Sequence, residues 1–158
     1  DEKSNNLFNW YQQLVAESLG KKKKGLLPVI STMPRDNHSL MQLYLDGSQN
    51  HFYTFFYVHE NKVEKIKNKS ILSSHEYLKN KKVSDILYAQ KKATENVFNK
   101  KNIPFRSLEI VRRDEKVLGE LFCFFILETI LLGKLLGVNP FDQPAVELIK
   151  TETNKILV

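Results

Sequence analysis

Cysteine is almost absent from this sequence of 158 residues, because Cys123 is the only one. A single thiol can form neither an internal disulfide framework nor a zinc site built from several thiolates. The chain is therefore not a disulfide-stabilised extracellular domain, and we expect a reducing, cytoplasmic location. Cys123 stands beside Phe122, Phe124 and Phe125 in an apolar run, which predicts that this cluster lies in the core.

Long apolar runs are also missing. The longest, residues 121–127, lies between Glu120 and Glu128 and is too short for a bilayer, which takes about 20 residues. It predicts a buried helix, and we expect no membrane partner. The 42% hydrophobic content is enough for the core of one domain and argues against disorder. The first residue is Asp1 and no leader precedes the folded part, so we expect a processed protein or a piece of a longer one.

The net charge of +6 is compatible with an anionic partner. Most of the excess comes from lysines scattered over polar segments, which is typical of a solvated surface. We therefore expect no nucleic-acid partner, although nucleic-acid binding stays open as an alternative that only the net charge supports.

The apolar spacing predicts helices that alternate with strands. Helical spacing is found in residues 7–18, between Asp36 and Gly47, in residues 75–100 with a break near Lys82, in residues 114–136, and from about 142–144 toward 156. Strand character is found in residues 26–31, 51–58 and 105–111, and a solvated loop is predicted over 59–70.

This alternation implies βαβ crossovers, and thus an α/β fold. We expect one domain over residues 1–158, a three-layer α/β/α arrangement with a mainly parallel central sheet. Asp36 or Asn37 can cap the second helix, and Gly47 stands where a left-handed residue would end it. The helix at 114–136 is apolar almost all round, which predicts a central position, and Gly137 closes it.

Motifs for nucleotide, metal or serine-nucleophile chemistry are missing. The sequence has no GxGxxG, P-loop, HExxH or nucleophile elbow, and its four histidines lack close ligand spacing. We therefore expect no metal and no cofactor. What remains is one carboxylate, one imidazole and one ammonium group in distinctive local contexts.

Glu17 lies at the end of the first predicted helix, where the negative end of the helix dipole makes a carboxylate a better base. Gln13 is four residues earlier and shares its face. His38 falls at the start of the second helix, where the neutral imidazole that suits proton shuttling is favoured. Taken alone, these residues are more often a solvated glutamate and a capping or packing histidine.

Lys150 stands seven residues after Gln143, so two helical turns bring both side chains to one face near the start of the last helix. An anion would be stabilised there, although such a lysine is usually only part of a solvated face. The run Lys21–Lys24 could clamp a phosphate, but it is more typical of a flexible basic loop.

Three stretches and their order resemble one enzyme family. They are AESLGKKKKGLLPV (16–29), RDNHSLMQLYLDGSQNHF (35–52) and LGELFCFFILETILLGKLLGVNPFDQPAVELIK (118–150). The last contains an aromatic residue, Asp and Gln, with Lys seven residues past the Gln. Together they resemble the carboxyl-terminal half of the glucose-6-phosphate isomerase family, in the sugar isomerase superfamily.

The resemblance implies interconversion of glucose 6-phosphate and fructose 6-phosphate, in glycolysis and gluconeogenesis, without metal or cofactor. Glu17 would be the base that moves a proton between carbons 2 and 1 through a cis-enediolate. His38 would assist ring opening, Lys150 would stabilise negative charge near the ring oxygen, and Gln13 and Gln143 would position the substrate.

The family's phosphate-binding Ser/Thr loop and a catalytic arginine belong to an amino-terminal domain that this sequence lacks. The family is also homodimeric, and its histidine usually comes from the partner subunit. The resemblance thus implies a piece of a longer two-domain enzyme that is inactive by itself. The alternative is a non-catalytic sugar-phosphate-binding module, which would need neither Glu17, His38 nor Lys150.

Overall fold

Helices occupy both ends of the chain, and both strands lie in its middle, in a computed structural model that describes residues 2–59, 65–66 and 71–158. The chain forms two compact units. The middle unit contains Ser31–Val117, and the terminal unit combines Lys3–Ile30 with Leu118–Val158. The terminal unit is therefore built from segments that are distant in sequence.

The middle unit contains a parallel pair of strands joined through a helix. Its elements are α2 (Met41–Asp46), β1 (Tyr53–Val58), α3 (Val83–Lys100) and β2 (Phe105–Ile110). The strands pair from Tyr53 opposite Phe105 to Val58 opposite Ile110. Parallel strands need a long crossover, which the segment containing α3 provides.

Phe98 of α3 anchors the core of the middle unit and is fully buried. Its ring lies 5.0 Å from that of Tyr53, 5.2 Å from that of Phe55 and 6.0 Å from that of Phe105. Because side chains alternate along a strand, Tyr53 and Phe55 share one face of β1. α3 therefore covers that face of the sheet.

The terminal unit consists of three helices: α1 (Asn5–Leu19), all but the first turn of α4 (Glu115–Leu136), and α5 (Pro144–Leu157). The buried positions of α4 are Phe125, Thr129 and Gly133, four residues apart and thus on one face. Tyr11 of α1 stacks on Phe125 at 4.1 Å between ring centroids. A side chain at Gly133 would place its Cβ 3.1 Å from Pro140, so this glycine lets the chain after α4 fold back closely.

Most predicted elements are confirmed within a few residues, including the break before α3 and the end of α4 at Gly137, which has a φ of 67°. The predicted strand at residues 26–31 is wrong, because this segment forms no strand in the described part of the chain. Leu27 is 88% exposed, and Pro28 has no N–H for a sheet ladder. An apolar run without a neighbouring strand does not make a sheet.

Three finer predictions are also wrong. Gly47 ends α2 with a φ of −87°, not in the left-handed region, and Asp36 and Asn37 precede the actual cap of α2, Leu40. Cys123 is exposed rather than part of the core. The predicted loop at 59–70 lies largely outside the described residues.

α4 is not buried all round. Phe124, Leu127, Leu131 and Leu135 recur at helical spacing and are between 43% and 82% exposed. They form an apolar stripe on the side of α4 away from its buried positions. No helix in the described part of the chain has both the length and the apolar character to cross a membrane.

Candidate active site

Glu17 lies in the last turn of α1 and is held by two glutamines. Gln13 donates from Nε2 to Glu17 Oε1 over 2.9 Å, which is the contact that their spacing of four residues allows. Gln143 donates from Nε2 to Glu17 Oε2, also over 2.9 Å. Each carboxylate oxygen thus has one amide donor, which fixes the plane of the carboxylate. We call these three residues the carboxylate cluster.

Gln143 joins parts of the chain that are 126 residues apart. It is the cap residue before α5, and Pro144 occupies the first helical position, where its fixed φ suits a helix start. The start of α5 is therefore tied to the last turn of α1 through Gln143 and Glu17. The sequence predicts that an anion binds near Gln143 and Lys150. In the structure, Gln143 contacts the carboxylate of Glu17.

Lys150 lies on α5 about 10 Å along the helix axis from Gln143 and on the same face. Its ammonium pairs with Glu147 Oε1 at 2.6 Å, and the Lys150 side chain is 64% exposed. Within the described residues, the structure does not bring Lys150 into contact with Glu17. Exposed ion pairs of this kind are worth less than about 1 kcal/mol, so Lys150 is easily released to another anion.

His38 belongs to the middle unit, whereas the other four predicted site residues belong to the terminal unit. It lies in the turn between a short 3-10 helix, Arg35–Asn37, and α2. Its backbone N–H donates to Arg35 O, and its side chain is exposed. The predicted position at the start of a helix is thus displaced by one turn.

Asp36 holds the turn that carries His38. Its buried carboxylate accepts hydrogen bonds from the Thr32 backbone N–H at 2.6 Å, Arg35 Nε at 2.8 Å and Ser39 Oγ at 3.4 Å. The bonds from Arg35 and Thr32 lower the pKa of Asp36 to about 2. The sequence pattern indicates Asp36 only as a possible cap of the next helix. It gives no sign that Asp36 holds the turn that carries His38.

The run Lys21–Lys24 lies in a loop, as predicted, and three of its side chains contact the chain at and after the end of α4. Lys24 Nζ donates to Leu136 O at 2.9 Å, and Lys22 Nζ to Gly137 O at 3.4 Å. Lys21 Nζ donates to Asn139 O at 2.5 Å and pairs with Asp142 Oδ1 at 2.8 Å. The last carbonyls of a helix lack internal partners and carry partial negative charge, which cations stabilise. These lysines therefore fasten the end of α4.

In the described part of the chain, no group of three or more His, Cys, Asp or Glu side chains could hold a metal ion. What the carboxylate cluster can do is accept and return a proton, since Glu17 is half-buried, oriented and adjacent to a helix start.

Comparison with known proteins identifies relatives over nearly the whole chain. A probable glucose-6-phosphate isomerase of Methanococcus maripaludis is 36% identical over 151 residues, which cover 94% of this chain and 33% of that protein. The glucose-6-phosphate isomerase of Mycoplasmopsis pulmonis is 40% identical over 154 residues, covering 96% of this chain and 36% of its own length.

Solved structures agree with the fold. A hypothetical protein of Thermus thermophilus, TT0462, matches all of this chain and 40% of its own with a TM-score of 0.91 and 29% identity. A glucose-6-phosphate isomerase of Chlamydia trachomatis matches 96% of this chain and 32% of its own with a TM-score of 0.76. At 20% identity, the second match supports the fold alone. The α/β class with a parallel sheet is confirmed.

No protein-family model matches the chain. The chain spans about a third of the length of the curated relatives it matches. Because the similarity covers nearly all of this chain and repeats in several named isomerases, the resemblance is confirmed: the chain is a relative of the glucose-6-phosphate isomerases and corresponds to one part of them.

Proposed function

We propose that this chain is part of a glucose-6-phosphate isomerase and supplies the base of the reaction. The observation that carries the proposal is the carboxylate cluster, in which Gln13 and Gln143 fix both oxygens of Glu17. An aldose and its ketose isomer differ only in the positions of two hydrogens on neighbouring carbons and their oxygens. One correctly oriented carboxylate can therefore move the hydrogen that is bound to carbon, as a proton.

In this mechanism Glu17 takes the proton from carbon 2 of the open-chain aldose. The electrons of the C–H bond form the double bond of a cis-enediolate, and the carbonyl oxygen gains negative charge. Protonated Glu17 then gives the proton to carbon 1, while the proton of the hydroxyl on carbon 2 passes to the oxygen on carbon 1, which leaves a ketone at carbon 2 and a hydroxyl at carbon 1. Gln13 and Gln143 keep the carboxylate directed at both carbons.

One cation completes the proposed site within the terminal unit. Lys150 leaves its weak pair with Glu147 and stabilises the oxyanion, which forms only as the reaction proceeds. For His38, in the turn of the middle unit that Asp36 holds, we propose the separate role that the resemblance implies, transfer of the proton that opens the cyclic sugar. Gln143 and Gln13 also contact substrate hydroxyls or phosphate. These roles require no metal or cofactor.

We further propose that both units belong to one carboxyl-terminal sugar isomerase domain of a longer, cytoplasmic, homodimeric enzyme. The chain's share of its relatives, about a third, supports a missing amino-terminal domain. The apolar stripe of α4 supports it too, since four large side chains on one helix face are normally covered. In that setting the phosphate would be bound partly outside this chain, and this chain alone would be inactive.

The test is Glu17→Gln in the longer enzyme, which keeps the size of the side chain and one acceptor oxygen but removes the base. We expect kcat for fructose 6-phosphate formation to fall by about 10³-fold or more, with KM changed little. Glu152→Gln is the matched control, because Glu152 is an exposed glutamate paired with Lys155, and it should keep full turnover.

Full turnover by Glu17→Gln would contradict the proposal. The alternative, a non-catalytic sugar-phosphate-binding module, is distinguished by the unmodified longer protein. It would bind the sugar phosphate but show no turnover, whatever residue stands at position 17.

A further inference from the structure

We propose that Lys21 is a positioning residue of the candidate active site, which holds Gln143 in contact with Glu17. This inference rests on the proposed function for its kinetic consequence, but not for its structural one. Lys21 follows Glu17 by four residues, just past the end of α1. Its ammonium bonds to Asn139 O and Asp142 Oδ1, and Asp142 directly precedes Gln143.

The burial of Lys21 distinguishes it from an ordinary surface lysine. Its side chain is only 10% exposed, although it begins a run of four lysines. A lysine side chain that is so largely covered requires partners for its ammonium hydrogens, and here a backbone carbonyl and a carboxylate supply them. Both partners lie in the segment between α4 and α5, so one side chain fastens this segment to the end of α1.

The backbone around Lys21 is shaped for this contact. Lys22 and Lys23 have positive φ angles of 55° and 59°, and Gly25 has a φ of 124°. A Cβ on Gly25 would lie 2.7 Å from Leu19 O, so the loop turns back closely on the end of α1. The tight loop presents the lysine side chains to the segment after α4.

The four lysines do not share one role. Lys22 and Lys24 donate to carbonyls at the end of α4, Gly137 O and Leu136 O. Lys21 reaches beyond the helix end to Asn139 and to Asp142, the residue before Gln143. Lys23 is exposed and makes none of these contacts, which makes it a matched control within the same loop.

Loss of the Lys21 ammonium releases the segment that positions Gln143. Asn139 O loses a donor and Asp142 loses its cation, so the residues just before α5 lose their ties to Lys21. The bond from Gln143 to Glu17 then has to hold the start of α5 against the end of α1 without that support. We expect Gln143 to leave Glu17 for much of the time, which leaves one oxygen of the base without its amide donor.

The structural test uses nuclear magnetic resonance on the chain itself, with the side-chain amide signals of glutamine assigned. In the unmodified chain the Gln143 side-chain amide, which donates to Glu17, should give signals displaced from those of a free glutamine. Lys21→Met should move these signals toward the free-glutamine positions. Lys21→Arg should keep most of the displacement, and Lys23→Met should change nothing.

Unchanged Gln143 signals in Lys21→Met would overturn the proposal. If Lys21→Met does not fold by circular dichroism, Asp142→Asn replaces it, because it removes only the carboxylate partner of Lys21. A partial shift of the Gln143 signals toward those of a free glutamine is then the expected result, and unchanged signals overturn the proposal.

The kinetic test uses the longer enzyme. Lys21→Met should lower kcat by about 10- to 100-fold with a smaller change in KM, because small misplacements of reacting groups are costly. Lys21→Arg should recover most of the rate, which a general loss of stability would not explain. If Glu17→Gln loses turnover but Lys21→Met does not, the positioning proposal alone fails. If Glu17→Gln keeps turnover, the proposed function fails, while the Gln143 signals still decide the role of Lys21.

Discussion

Two helices of this chain, α3 in the middle unit and α5 in the terminal unit, use charged side chains in opposite ways. On α3, Lys91 pairs with Glu95 at 2.5 Å and with Glu109 at 2.7 Å, and the side chains of Lys91 and Glu95 are each 8% exposed. On α5, the pairs join exposed neighbours three residues apart. Charge therefore helps to hold α3 against β2, whereas α5 keeps its charges available to solvent.

The groups with strongly lowered pKa values, Asp36 and Glu109, belong to the middle unit and not to the carboxylate cluster. The pKa of Glu109 falls to about 2, first because Lys91 donates to it and then because His59 and Lys92 do. Such shifts often mark active sites. In this protein the groups with the lowest pKa, Asp36 and Glu109, hold structure together, and the proposed base lies elsewhere. Geometry is the better guide to the site.

The largest effect on stability should come from the terminal unit's core. Phe125→Ala removes a fully buried ring that stacks on Tyr11, and we expect a loss of about 3–5 kcal/mol in the free energy of unfolding. Phe124→Ala, next to it but 43% exposed, should cost much less. Denaturant titration of both variants measures this, and equal losses would contradict the described packing of α4.

The contrast between the ion pairs can be tested directly. Lys91→Met leaves Glu95 buried with only Lys92 as a cation, so we expect a loss of about 2 kcal/mol. Lys155→Met removes an exposed pair on α5 and should cost less than about 0.5 kcal/mol. The same denaturant titrations compare the two variants. A larger loss for Lys155→Met than for Lys91→Met would contradict the contrast between the ion pairs of α3 and α5.

Acid should weaken the middle unit through Asp36 and Glu109. Both carboxylates have a folded pKa of about 2, below their usual values of 3.8 and 4.5, so their pairing stabilises the protein above about pH 4.5. As the pH falls from about 4.5 to 2, that stabilisation is lost. Thermal melts across this range should show the slope, and Glu109→Gln should reduce it. A stability that does not change below pH 4.5 would contradict these contacts.

Local pattern was enough to predict most of the fold. The apolar spacing located α1, α3 and α4, because each helix buries a stripe that repeats every three or four residues. It failed at residues 26–31, since an apolar run does not reveal whether a neighbouring strand exists. It also overestimated the burial of α4, because its exposed stripe is as apolar as the side chains of a core.

The site was predictable only where its contacts are local. Gln13 and Glu17 are four residues apart, so helix geometry predicts that they share a face. The bonds from Gln143 to Glu17 and from Lys21 to Asp142 join residues more than 100 positions apart, and no spacing rule indicates them. The resemblance pointed to Gln143 but not to Lys21, whose role depends on which helix end lies beside it.

The most direct test of the account is proton transfer by Glu17, measured by hydrogen exchange in D₂O. The longer enzyme, incubated with fructose 6-phosphate, should introduce deuterium at carbon 1 of the ketose and carbon 2 of the aldose. Glu17→Gln should abolish this exchange while sugar phosphate binding persists. Deuterium incorporation by Glu17→Gln at the rate of the unmodified enzyme would contradict the claim that Glu17 is the base.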